Sequence, residues 1–120
     1  MRPEDRDPAY LWDMREAARS IVEMTKEVGL EQFGTDLMRR LAVERLFTVL
    51  GETARRTSPT FKSAHPEIPW SSIVGLRNLV THEYEKVVTD TIWQISRGSV
   101  PELLKMLEPL VPPPPEEPQE

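Results

Sequence analysis

The 120-residue sequence contains no cysteine and only two histidines. The lack of cysteine excludes disulfide bonds and thiolate metal sites, and two histidines cannot complete a zinc site unless carboxylates join them. No apolar run approaches the ~18 residues of a membrane-spanning helix, and the charged segment from Arg2 to Asp7 does not resemble a signal peptide. We therefore expect one small cytoplasmic domain with no cofactor, no metal and no membrane contact.

The net charge of −5 argues at first against a nucleic-acid partner, but the charge is unevenly distributed. Residues 39–77 hold seven basic and three acidic side chains, which gives this segment +4 and leaves −9 on its flanks. A basic face on an otherwise acidic protein is compatible with RNA binding. The same pattern taken alone fits a solvated helix face equally well.

Apolar residues recur at helical spacing along the chain, and no strand-like alternation lasts more than a few residues. This pattern predicts an all-α fold, an antiparallel up-and-down bundle of four to five helices over residues 1–110. Residues 111–120 are rich in proline and glutamate and are expected to form a disordered tail. Tyr10 and Trp12, off or at the edge of the first apolar stripe, are interpreted as packing or interface residues.

Caps and prolines set the expected boundaries of the first two helices. The first should begin with Asp7 as N-cap and end at Gly29, and the second should open at Thr35 or Asp36. It should stop before the Ser58-Pro59 pair, since a residue that precedes proline avoids the helical region. Gly51 within it costs ~1 kcal/mol relative to alanine, which predicts the close approach of another helix.

The later boundaries follow from similar signals. Residues 60–69 should form a connection in which His65 is an exposed loop histidine, and a third helix should start near Pro69 or Trp70. The remaining expectations are a turn or frayed helix end at Glu85–Thr89, a fourth helix capped by Thr89 or Asp90 and ended by Gly98, and a fifth helix opened by a capping box of Ser99 and Glu102.

The third helix carries a polar cluster within an apolar run, Gly75-Leu76-Arg77-Asn78-Leu79-Val80-Thr81-His82-Glu83-Tyr84. On an ideal helix Asn78 and His82 share one stripe, and Arg77 and Tyr84 share another beside the apolar face. A guanidinium that borders a buried face needs a partner, because an unpaired buried charge is costly.

The spacing Arg77-x4-His82-x-Tyr84 resembles the signature of the HepT-like branch of the HEPN-domain ribonuclease toxins. The flanks are similar too: Pro66-Glu67-Ile68-Pro69-Trp70 before the motif, Ile92-Trp93 after it, and Gly51-Glu52-Thr53-Ala54 upstream. The resemblance covers roughly residues 8–108. It implies a homodimeric toxin of a type VII-like toxin–antitoxin system, an endoribonuclease that needs no metal. It also implies that a minimal nucleotidyltransferase antitoxin neutralises the toxin by transferring AMP to Tyr84.

The residue types suit this chemistry. A neutral histidine with a pKa near 6.5 can move protons in RNA cleavage, and an arginine can stabilise the phosphorane. His82 and Arg77 are therefore the candidate catalytic residues, and Asn78 is expected to orient the imidazole or to donate to a phosphate oxygen. Arg77 and His82 are five residues apart, ~140° and ~7.5 Å on an ideal helix. One helix cannot easily bring both side chains to a single phosphate. Either the helix ends near His82, or two copies form a composite cleft, as the resemblance implies.

The sequence also allows purely structural roles for the same residues. Arg77 could pair with Glu52, and Glu83 or Glu85 could lie near His82, so that the two form only a salt bridge and a polar cap. Tyr84 could be a tyrosine packed at a helix end. The alternative function is a catalytically silent HEPN-type module that binds a nucleotidyltransferase partner or a nucleotide.

Overall fold

The structure, a computed structural model, describes residues 2–81 and 85–113, with the side chains of residues 81 and 85–87 outside the description. His82 and Tyr84 lie outside the described residues. The described chain is all-α, as predicted, and contains no strand. Short 3-10 helices, Pro3–Arg6 and Glu108–Leu110, flank α1 (Asp7–Thr25), α2 (Leu30–Thr35), α3 (Leu37–Arg56), α4 (Pro59–Ala64), α5 (Trp70–Thr81), α6 (Glu85–Arg97) and α7 (Ser99–Leu107).

The two longest helices, α1 and α3, are antiparallel, because each end of one is bonded to the opposite end of the other. At one end Asp7 accepts hydrogen bonds from the backbone N and Oγ of Ser58, at 2.9 and 2.6 Å. At the other end Arg39 Nη1 donates to the carbonyl oxygen of Met24 at 2.6 Å. The antiparallel pair forms the frame against which the other helices pack.

The core is continuous through the bundle and consists of the apolar faces that helical spacing predicts. The indole of Trp93 donates to the carbonyl oxygen of Val28 at 2.8 Å, which fixes α6 against the connection between α1 and α2. No described helix is both long and apolar enough to cross a membrane. The largest fully buried apolar side chains are those of Phe33, Phe47, Met14, Ile21, Leu50, Ile68, Ile92 and Leu107.

The predicted ends of the first helix are wrong. Asp7 is the first helical residue rather than the cap, and its carboxylate is engaged by Ser58 instead of by its own helix. The helix ends at Thr25, and the left-handed position beyond it is taken by Glu27 (φ 61°). Gly29 is therefore not a C-cap; it is the N-cap of α2, a helix too short to show apolar periodicity.

Asp36 caps α3 as predicted, and its side chain accepts from the backbone N of Arg39 at 3.1 Å. Hydrogen bonds from the side chain and then the backbone of Arg39 lower the pKa of this carboxyl. The helix stops before Ser58-Pro59, also as predicted. The same pair then starts α4, because Ser58 Oγ accepts from the backbone N of Phe61 at 3.1 Å. Residues 60–69 are thus not wholly a connection.

The predictions for the fourth and fifth helices need correction at their starts. α6 begins at Glu85, so Glu85–Thr89 is helical, and neither Thr89 nor Asp90 is its cap. Val88 packs against the core, and such packing overrides the weak helix propensity of a β-branched residue. α6 ends at Arg97, before Gly98. Gly98 is the N-cap of α7, so Ser99 is one position too late to close a capping box with Glu102.

At the C-terminus, Val111 is buried against the core and residues 112 and 113 are exposed. The extended tail expected over residues 111–120 falls outside the described residues from position 114 onward. The domain limits drawn from the sequence stay a prediction.

Candidate active site at the crossing of α3 and α5

The site is built on the close crossing of α3 and α5, which Gly51 permits. A Cβ atom placed on Gly51 would lie 3.0 Å from Cβ of Arg77, 3.1 Å from its backbone N and 3.2 Å from the carbonyl oxygen of Val74. Each of these distances is shorter than ordinary van der Waals contact, and two of the three involve rigid backbone. The predicted reason for Gly51 is therefore observed: any side chain there would push α5 away from α3.

This crossing places Glu52 of α3 beside Arg77 of α5. Arg77 Nη1 donates to Glu52 Oε1, and Arg55 Nη2 donates to Glu52 Oε2 at 3.1 Å. The hydrogen bond from Arg77, and then that from Arg55, hold the pKa of the Glu52 carboxyl below its ordinary value. The carboxylate therefore stays charged through neutral pH, and its contribution to stability disappears only as the pH falls through that lowered value.

Arg77 remains accessible despite this ion pair. Its side chain is 45% exposed, whereas that of Glu52 is 27% exposed. Asn78, the next residue, is exposed as well, while Ile73, one turn before Arg77, is buried. α5 thus presents adjacent guanidinium and amide groups to solvent and its apolar face to the core. An arginine carries five N–H donors, so pairing with one carboxylate is compatible with binding a further anion.

The structure places only part of the predicted motif. Arg77 and Asn78 lie next to one another near the end of α5, which is described as far as Thr81. His82 and Tyr84 follow it in the sequence and lie outside the described residues, as does Glu83. The roles assigned to these residues stay predictions.

The other histidine has a structural role. His65 follows the last residue of α4 and lies in a connection, as expected, but it is half-buried rather than exposed. Its ring packs against Phe61 with 4.4 Å between the centroids, and Nδ1 lies 3.1 Å from Oε1 of Glu67. Its carbonyl oxygen accepts from the indole of Trp70 at 2.9 Å. His65 therefore stabilises the entry to α5.

Sequence reasoning missed two features of the structure. One is Arg55, although a basic residue three positions after Glu52 on a helix is a readable i,i+3 pair. The other is a groove of about 1070 Å³ between α2, the start of α3 and the start of α6. Leu37 and Leu41 line it and are 54% and 52% exposed, and Met38 beside them is 84% exposed. In the described part of the chain, no group of three or more His, Asp or Glu side chains is arranged to hold a metal ion.

Fold and site together define a class of protein: an antiparallel helical bundle whose core helix presents an arginine–asparagine pair to solvent. Comparison with known proteins identifies the particular family. The sequence profile of the ribonuclease HepT-like family matches residues 14–110, and the chain belongs to this family. The resemblance drawn from the motif is confirmed.

Curated relatives agree with this assignment. A Methanocaldococcus jannaschii protein whose name proposes an RNase is 34% identical over 100 residues, which are 83% of this chain and 92% of that protein. A Thermococcus cleftensis protein, named as a candidate ribonuclease HepT, is 34% identical over 101 residues, or 84% and 92% of the two chains. A Caldanaerobacter subterraneus protein, also proposed by its name to be an RNase, is 28% identical over 99 residues, or 82% and 88%. No solved structure matches this chain.

Proposed function

We propose that this protein is a metal-independent endoribonuclease that acts as the toxin of a type VII-like toxin–antitoxin system. The observation that carries the proposal is the position of Arg77, which is nearly half exposed, is oriented by Glu52 and lies five residues before His82. Membership of the ribonuclease HepT-like family and the names of the relatives support an RNA substrate.

The reaction divides among three groups. The His82 imidazole takes the proton of the ribose 2′-hydroxyl and returns a proton to the leaving 5′-oxygen. The 2′-oxygen attacks the adjacent phosphorus, and the Arg77 guanidinium stabilises the charge on the phosphorane oxygens. Asn78 orients the imidazole or donates to a phosphate oxygen. The products are a 2′,3′-cyclic phosphate and a free 5′-hydroxyl.

A homodimer would bring the catalytic pair together. On an ideal helix five residues separate two side chains by ~140°, so Arg77 of one copy and His82 of another can meet at one phosphate across a two-fold cleft. The exposed apolar side chains of Leu37, Met38 and Leu41 support association, since apolar groups clustered on a surface mark protein–protein contacts.

RNA cleavage is expected to persist in excess chelator and to leave 2′,3′-cyclic phosphate ends, because the mechanism uses only side-chain acids, bases and donors. The measurement is cleavage of a defined single-stranded RNA with and without EDTA, with the product ends analysed by mass. Loss of activity in EDTA and its return with a divalent ion would replace this mechanism by a metal-assisted one.

Tyr84 is proposed as the site of neutralisation by a nucleotidyltransferase antitoxin. Transfer of AMP to the phenol oxygen would add a bulky anion beside a site that binds an anionic substrate. A phosphodiester there would also compete with RNA for the donors of Arg77.

Tyr84→Phe is expected to remain toxic and to escape the antitoxin, since phenylalanine keeps the ring and removes only the nucleophilic oxygen. Intact mass after co-expression with a nucleotidyltransferase from the same operon should show added AMP on the parent and none on the variant. Thr81→Val is the matched control, because it removes the neighbouring hydroxyl and should still be modified. A neutralised parent without added mass would mean that the antitoxin acts by binding alone.

The alternative is a silent HEPN-type module that binds a nucleotidyltransferase or a nucleotide. The pairing of Glu52 with both Arg77 and Arg55 favours it, because it gives Arg77 a structural partner. Expression without an antitoxin separates the two functions: the proposed ribonuclease arrests growth, and a silent module does not.

A further inference from the structure

A second basic site lies between the start of the chain and the end of α3. Its cavity of about 300 Å³ is lined by Arg2, Pro3, Arg6, Tyr10 and Arg56, and no acidic side chain is among these lining residues. The 3-10 helix Pro3–Arg6 leads directly into α1, and Arg56 is the last residue of α3. The antiparallel pairing of α1 and α3 therefore creates this cavity from segments distant in sequence.

The guanidinium groups of the cavity have no carboxylate partner among residues 2–81 and 85–113, where no ion pair involves Arg2, Arg6 or Arg56. Asp5 accepts from the backbone N of Arg2 at 3.0 Å, which holds the chain in place. Three like charges around one cavity repel one another, so an anion that enters it relieves that repulsion. Planar guanidinium forks match the oxygens of a phosphate.

The cavity is close to the candidate active site. Arg56 lies one helical turn beyond Glu52, about 6 Å along the axis of α3, and Glu52 pairs with Arg77. Arg55 donates to the same Glu52 carboxylate, and Lys62 Nζ donates to the carbonyl oxygen of Arg55 at 3.3 Å. Several basic side chains are thus grouped at the end of α3, whose last residue, Arg56, lines the cavity.

We propose that this cavity binds a backbone phosphate of the single-stranded RNA substrate, apart from the phosphate that Arg77 binds. The proposal rests on the proposed function and names a subsite for it. A single strand carries a phosphate on each nucleotide, and basic grooves with aromatic side chains bind such strands. Tyr10, interpreted from the sequence as a packing or interface residue, is half-buried and lines the cavity, where it supplies the aromatic side chain. Arg2, Arg6 and Tyr10 precede the residues that the family profile matches, so family membership does not imply this site.

The test compares the double variant Arg6→Gln/Arg56→Gln with the parent in binding to single-stranded 2′-O-methyl RNA. This RNA has no free 2′-hydroxyl and is not cleaved, so affinity is measured whether or not the protein is an enzyme. We expect Kd to rise roughly tenfold or more. The slope of log Kd against log salt should fall by about 0.7 for each phosphate that the variant no longer neutralises. Arg97→Gln is the matched control, because Arg97 is exposed, has no described ion pair and lies outside the cavity.

Cleavage of a long RNA by the double variant should show a raised KM with an unchanged kcat, and cleavage of a dinucleotide too short to span both sites should be unaffected. Equal Kd and equal salt slopes in a folded double variant would overturn the subsite. Inorganic phosphate that binds the parent but not the variant, with RNA affinity equal in both, would also overturn it, by defining a small-anion site. A parent that binds RNA through the cavity but cuts none would refute the proposed function and leave the subsite intact.

Discussion

His82→Ala is expected to slow RNA cleavage by roughly 10²–10⁴-fold, the usual contribution of a positioned general acid–base group. Alanine cannot take the 2′-hydroxyl proton or return a proton to the leaving oxygen. The step of the parent's pH–rate profile that belongs to the imidazole should be absent from the profile of the variant. If the ideal helix continued to His82, this side chain would lie half a turn from Ile73, opposite the buried face, so the bundle should stay folded.

The matched control is His65→Ala, which replaces the other histidine of the chain. His65 packs against Phe61 and lies beside Glu67 at the entry to α5, so its removal should lower the melting temperature modestly and leave cleavage close to that of the parent. Circular dichroism and size-exclusion chromatography establish that both variants are folded and have the parent's oligomeric state. A folded His82→Ala protein as active as the parent would remove His82 from the mechanism.

The boundaries of α3 were predictable because their signals are local. Asp36 and the Ser58-Pro59 pair act within one turn of the helix end they define, and the structure keeps both boundaries. The errors occur where a local signal competes with a distant interaction. Asp7 bonds Ser58 across the bundle rather than capping its own helix. Helices α2 and α4 have six residues each, too few for apolar periodicity to appear.

The sequence likewise predicted part of the candidate site. Arg77 and Asn78 are neighbours in sequence, and Gly51 indicated that another helix crosses α3. The pairing of Glu52 with Arg77 follows once that crossing partner is known to be α5. The cavity around Arg56 was not predictable, because it depends on the register of α1 against α3. That register is fixed by side-chain packing between distant segments, and no periodic pattern in the sequence indicates it.

Arg77→Lys is expected to slow cleavage by roughly 10²–10³-fold, the cost of removing one donor group from the transition state. Lysine keeps the charge but has a compact ammonium in place of a planar fork. It therefore cannot pair with Glu52 and span two phosphate oxygens as a guanidinium can. Arg97→Lys makes the same exchange at an exposed residue of α6 and should leave cleavage unchanged. If Arg77 serves only in the ion pair with Glu52, the lysine variant will cleave RNA nearly as well as the parent.

The homodimer proposal predicts that two inactive variants restore activity when they are mixed. Arg77→Ala and His82→Ala should each be inactive, yet a mixture of the two should regain activity. In a two-fold dimer with composite sites, a mixed dimer holds one site with both substitutions and one site with Arg77 and His82 intact. Random exchange of equal amounts makes half of the dimers mixed, so the mixture should reach about one quarter of the parent's activity. If each site is instead built within one chain, every site in the mixture lacks one catalytic group. Such a mixture would stay as inactive as its components, which would refute the composite cleft and leave both residues in a site formed by a single protomer.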